Sequence, residues 1–219
     1  MPVERKYLLE AIKEMRSKSA KRNFNQSIEL VINLQDIDVS KPENRIHELI
    51  ELPHPVGKKV NICVFATGDA ALRAKRAGAD LVLDREEIES LAGNKKKQRQ
   101  IAKTADSFIA TAPLMPIVGR VFGSILGPRG KMPAPIPPTV DIEREIERYK
   151  RIIVIRTRGQ PVLSCRVATE DMNDEDIADN IDAVIRRVEG KLKRGIKNIA
   201  SIYIKMTMGP PIKVKLKED

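Results

Sequence analysis

Apolar and polar positions alternate along the chain with two different periods, and the switches between them divide it into segments. The first, VERKYLLEAIKEMRSKSAKR, sets Leu8, Ile12 and Met15 on one stripe among charged residues, which predicts an amphipathic helix. FNQSIELVINL changes to a period of two. Ile28, Leu30, Ile32 and Leu34 alternate with Glu29, Val31 and Asn33, the signature of a half-buried strand. RIHELIEL predicts a second strand, stopped by the prolines and glycine of LPHPVGKK.

Beyond that hinge the pattern changes character. KVNICVFA is almost continuously apolar, as a strand covered on both faces should be. A short helix follows Thr67-Gly68 and closes at Gly78. Strand DLVLD, helix EEIESLAGNKKKQRQIAKTA (broken near Gly93) and strand SFIATA come next. Strands alternating with helices predict a parallel sheet with crossover helices. ILGPRGKMPAP reads as a rigid surface loop carrying two cations, and DIEREIERYKR as a helix. From Ile152 the half-buried style returns. IIVIRTRGQPVLSCRVA reads as a hairpin turning at Arg158-Gly159-Gln160. TEDMNDEDIADNIDAVIRRVEGKLKRG reads as a helix with acids at its start, bases at its end and Gly195 as its stop. ASIYIKMTM is the last strand, before GPPIKVKLKED.

The expected fold is therefore α/β and α+β in two domains. Residues 1–57 and 152–219 form an α+β domain of a sheet plus helices, built from both termini. Residues 58–151 form an inserted three-layer α/β unit, Rossmann-like in outline. Two nearby linkers would make a double hinge.

Charge sharpens this picture. The 219 residues carry a net charge of +10, a pI of about 9.6, 3% aromatics and no tryptophan. From Lys58 to Arg151 there are 18 bases and 11 acids; elsewhere there are 22 and 19. Such a balance fits a polyanionic partner, with nucleic acid the default and an acidic membrane surface the rival. No apolar run has the length of a bilayer span, and MPVERKYLLE is not a signal peptide. Cys63 and Cys165 read as small buried residues of a reducing compartment, so the cytoplasm is expected. His47 and His54 lack a nearby cysteine, and no metal site is expected.

Candidate chemistry centres on ILGPRGKMPAP, which looks like a phosphate cradle. A Walker-type loop needs a glycine five positions before its Gly-Lys pair and a hydroxyl after it. Ile125 and Met132 occupy those positions, and Pro128 has no N–H to offer. No catalytic triad, metal cluster or singled-out carboxylate pair accompanies the loop, so neither an enzyme nor a cofactor is expected. Two rivals stay in view: an α/β enzyme binding a phosphorylated ligand in the inserted domain, and a basic protein with no specific site. EGKLKRGIK and Lys95-Lys96-Lys97 read as solvated basic faces that specify no partner by themselves.

Three stretches raise a family. NFNQSIELVINL, ILGPRGKMP and KMTMGPPIKV, in this order and spacing, resemble the large-subunit ribosomal protein one family, over nearly the whole chain. The resemblance implies a structural constituent of the large subunit. It would bind the mobile rRNA stalk beside the tRNA exit site, assist release of deacylated tRNA, repress translation through its own mRNA, and be a monomer when free. It also implies an RNA surface on the terminus-built domain, using Phe24 and the turn Thr207, Met208 and Gly209. An exposed ring can stack on a base, a glycine admits a close backbone, and a hydroxyl can meet a phosphate or 2′-OH. Ser27, Lys41, Ser164, Ser201 and Lys205 are lesser candidates; Ser164 stands where some relatives carry histidine. Glu14 matches an acidic position but reads better as a salt-bridging carboxylate. Gly127, Arg129, Gly130 and Lys131 form the signature loop, read as structural or as a secondary polyanion contact.

Overall fold

The computed structural model describes residues 3–137 and 140–216, except for the side chain of Pro42. It is a mixed α/β structure of two compact units, residues 1–58 with 151–219 and residues 59–150. Parallel and antiparallel sheets are both present.

The first unit holds a four-stranded antiparallel sheet. Its strands are β1 (Ser27–Leu34), β8 (Val162–Thr169), β9 (Ile199–Met206) and β10 (Ile212–Val214), in the order β10-β9-β1-β8. Burial alternates strictly along β1, with Ile28, Leu30, Ile32 and Leu34 inward. Helices α1 (Arg5–Lys18) and α7 (Asp174–Glu189) cover that inner face with Leu8, Ile12 and Met15, and with Ile177, Ile181 and Val188. Each such side chain fully buried contributes roughly 1.5–3 kcal/mol. Asn180 is a polar staple in this core. Its amide donates to the carbonyls of Val167 (2.8 Å) and His54 (3.1 Å) and accepts from the His54 N–H (3.0 Å).

Two expectations fail in this unit. The Arg158–Gln160 turn does not close a hairpin ladder. β7 (Ile152–Arg156) pairs antiparallel with β2 (His47–Glu51) in a separate two-stranded sheet, while β8 joins β1. The last helix stops at Gly190, ahead of a short 3-10 turn at Gly195–Asn198. The first glycine in the run, not the second, is the stop.

The second unit is a parallel sheet in the order β4-β3-β5-β6, comprising β3 (Ile62–Phe65), β4 (Leu81–Leu83), β5 (Ser107–Thr111) and β6 (Ala134–Ile136). Helices α3 (Arg85–Ser90), α4 (Lys95–Thr104) and α5 (Met115–Arg129) enclose one apolar cluster with Phe65, Phe108 and Phe122 at its centre. Outside that cluster α2 (Gly68–Arg76) packs on α6 (Ile142–Tyr149), burying Ala74, Ile146 and Tyr149.

The first five residues of the stretch expected to be a surface loop, Ile125 to Arg129, are helical, and its last two open β6. α5 runs through Gly127, Pro128 and Arg129, and Gly130 ends it at φ 66°. The Gly130 and Lys131 N–H groups return to the carbonyls of Gly127 and Leu126, a left-handed cap that glycine adopts at little cost.

Candidate nucleic-acid interface

The face of the four-stranded sheet opposite α1 and α7 carries the outward half of each alternation. The register aligns Lys213, Tyr203, Val31 and Ser164 in one row across all four strands. A second row brings Lys205, Glu29 and Arg166 together. In a third, Asn33 Nδ2 donates to Ser201 Oγ at 2.9 Å. Positive charge outweighs negative there, and the Arg166 Nε is enclosed without a partner among the described residues.

At the Ser27 end of the sheet stand Phe24, 51% exposed, and Met208, 59% exposed. The link between their segments is Gln26, 1% exposed. Its Oε1 accepts from the Met208 N–H (3.1 Å), and its amide donates to the Ala20 carbonyl (3.2 Å) and Glu170 (3.3 Å). Thr207 closes the strand end. Its N–H donates to the Ser27 carbonyl (3.0 Å), and its Oγ1 accepts from the Ser27 N–H (3.2 Å) and donates to the Ser27 carbonyl (3.3 Å). The protein thus uses the hydroxyl's one proton, and the second lone pair is left to accept from a donor such as a 2′-OH.

Gly209 answers first to the protein's own packing. A Cβ there would lie 2.3 Å from Ser19 Oγ and 3.3 Å from the Ser19 and Met206 Cβ atoms, so a larger residue requires the Ser19 hydroxyl to turn away and both neighbours to give slightly. Beside this turn lies a groove of about 310 Å³ lined by Arg16, Ser19, Lys21, Gln26, Glu170 and Met206. Arg16 is fixed by Asp174 (2.7 Å) and by the carbonyls of Glu170 and Met172 (2.6 Å each). Asp171 accepts from Thr169 and Asn25, and these bonds hold its carboxyl below the usual range.

The structure therefore gathers Phe24, Ser27, Ser164, Ser201, Lys205, Thr207, Met208 and Gly209 on one sheet face and its end. Lys41 is not on that face: it lies in the connection beyond Leu34, past the opposite end of β1. Glu14 pairs with Lys18 at 2.6 Å. Tyr203, Arg166 and Lys213 were overlooked, although the same period of two in ASIYIKMTM puts Tyr203 in line with Ser201 and Lys205.

Lys131 is not a free cation. Its Nζ donates to the carbonyls of Ala105 (2.6 Å) and Ala102 (3.2 Å), closing the C-terminal end of α4. Burial lowers its pKa; Arg129 acts in the same direction and Asp106 opposes it. Gly127 and Gly130 shape the end of α5, and Arg129 is exposed in its last turn. Among the described residues no group of three or more His, Cys, Asp or Glu could hold a metal ion. No helix there is long and apolar enough to cross a membrane.

Comparison with known proteins agrees with the resemblance. Residues 16–210 match the model of the ribosomal protein L1p/L10e family. The chain is 48% identical over 213 residues to large ribosomal subunit protein uL1 of Methanocaldococcus jannaschii, covering 97% of each chain. Identity to the protein of that name from Hyperthermus butylicus is 47% over 215 residues, 98% of this chain and 99% of the relative. For Pyrococcus abyssi it is 46% over 216 residues, 98% of each. These relatives are ribosomal proteins and not enzymes, which sets aside the phosphorylated-ligand alternative. The chain belongs to the ribosomal protein L1p/L10e family.

Proposed function

We propose that the chain is a structural constituent of the large ribosomal subunit in the cytoplasm and binds rRNA through the open sheet face of the terminus-built unit. The observation that carries this reading is the end of that sheet. Two large apolar side chains, Phe24 and Met208, stand exposed beside the Ser27–Thr207 backbone and the cations Lys205 and Arg166. Such a surface suits RNA better than a protein partner. The ring and thioether can pack on bases or riboses, and the cations and hydroxyls meet phosphates and 2′-OH groups.

The finer reading places this contact on the mobile rRNA stalk beside the tRNA exit site. The protein then moves with the stalk as deacylated tRNA leaves. The same surface, meeting a mimic of the stalk in its own mRNA, represses translation. Free of RNA, the protein is a monomer.

A filter-binding titration tests it: a stalk rRNA fragment against a scrambled RNA of equal length, at two salt concentrations. A preference of about a thousandfold that survives the higher salt supports a shaped site. Equal binding that collapses with salt leaves a basic protein without one.

A further inference from the structure

Helix α4 carries a cationic face that nothing in the chain uses. Lys95, Lys96, Lys97, Arg99 and Lys103 are all exposed, and among the described residues none of these side chains has an ion pair or hydrogen bond. At about 100° per residue, Lys95, Arg99 and Lys103 stack at successive turns, with Lys96 beside them. Gln98 and Ala102 are buried on the adjoining flank, roughly 80° around the helix from the centre of that stripe. The stripe runs about 12 Å at roughly 1.5 Å of rise per residue.

This placement is locally unfavourable. Like charges one turn apart repel. Three lysines in the first turn, with no acid among them, also oppose the helix dipole. By contrast α2, α3, α6 and α7 all open on acids. Acids near in sequence are engaged elsewhere. Asp84 and Glu87 close a capping box, Glu89 pairs with Arg85 (3.1 Å), and Asp106 accepts from the Asn61 N–H (3.1 Å). Glu86 is left against five cations among the described residues of α3 and α4. Arg129, exposed two residues before the lysine that closes the end of α4, extends the positive surface.

We propose that this face of α4 is a second contact for RNA, one that grips the phosphate backbone without reading sequence. It rests on the rRNA-binding reading above for the identity of the polyanion. No aromatic stands on α4 to stack a base, and point charges on flexible stems position a backbone without discriminating bases. A row of about 12 Å is long enough to follow several successive phosphates of one strand.

The test is the full chain against the variant Lys95→Gln/Arg99→Gln/Lys103→Gln, with an RNA duplex of arbitrary sequence and the stalk fragment as probes. Glutamine keeps helix propensity, so the helix stays intact and its melting midpoint holds or rises as repulsion is relieved. On the arbitrary duplex, affinity falls about fivefold or more. The slope of log K against log salt shrinks by about two, at roughly 0.7–0.9 for each phosphate the variant no longer neutralises. The ratio of stalk to scrambled RNA binding is unchanged. An unchanged slope overturns the proposal. So does a lost stalk preference, which would make α4 part of the specific site. Should the wild type show no stalk preference at all, the rRNA reading fails, while the slope on the arbitrary duplex still decides the role of α4.

Discussion

Met208, which stands with Phe24 at the end of the sheet, is held there by a side chain that touches almost no solvent. Gln26 uses both ends of its amide, so Gln26→Ala removes the partner of the Met208 N–H and the Ala20 carbonyl. A loss of about 1 kcal/mol of stability is expected, the net contribution of the bonds removed, because Ala20 and Met208 are open to water. Specific RNA affinity drops with it; a variant as stable as the wild type in urea would show that the bonds are dispensable. Phe24→Ala is the opposite case, since a half-exposed ring bears little on folding. It weakens specific RNA binding by about 1–3 kcal/mol with the melting curve unchanged, and unaltered affinity removes Phe24 from the site. The exposure of Phe24 was legible because it stands among polar residues ahead of the β1 alternation; the RNA-binding role given to it came from the family resemblance alone. The reason for Gly209 was not: Ser19 lies 190 residues earlier in the sequence, and a close approach at that range leaves no local pattern.

At the scale of elements, local pattern succeeded where a strand or helix shows a different face to core and solvent, as β1 and α1 do. It failed for α5, whose Gly119, Gly123 and Gly127 and whose Pro128 all argue against a helix. Tertiary burial of Val118, Val121, Phe122, Ile125 and Leu126 overrides them. The β2–β7 pairing was equally hidden, because a tight turn between β7 and β8 signals a hairpin while the true partner lies about a hundred residues away. The helical reading of residues 115–129 changes what Lys131 does. It closes α4, and Lys131→Met, which keeps the apolar stem, leaves the Ala102 and Ala105 carbonyls without their donor. The inserted unit should lose about 1 kcal/mol, read by thermal unfolding. Because that role is internal, Thr207→Val harms specific RNA binding more than Lys131→Ala does. The reverse order in a binding titration would move the site into the inserted unit.

Over the whole molecule, the two units differ in how acid should affect them. Hydrogen bonds from Lys191 and Arg187 hold Glu48 below its ordinary pKa, and Arg5 does the same for Asp179; with Asp171, all three carboxylates lie in the terminus-built unit. In the inserted unit Asp80 is depressed by Lys59 and by the Ile62 N–H, against the opposing effect of burial. A carboxyl with a lowered folded pKa stabilises the fold above its unfolded value and loses that contribution as pH falls through the folded value. The terminus-built unit is therefore the more acid-sensitive below about pH 4, and amide exchange resolved by residue reads the difference. Its independence is directly testable. The chain between Leu52 and Lys58 stays anchored to it: the Leu52 N–H donates to the Arg151 carbonyl (3.0 Å), Val56 is buried, and Gly57 packs on Thr169. Replacing residues 59–150 with a short flexible linker leaves every one of those contacts in place. The product is expected to unfold in one cooperative transition and to keep its preference for stalk over scrambled RNA. Its salt slope should be shallower, because α4 is gone. Failure to fold would mean that the two units need one another, and a folded product without the preference would mean that the open sheet face is not the specific site.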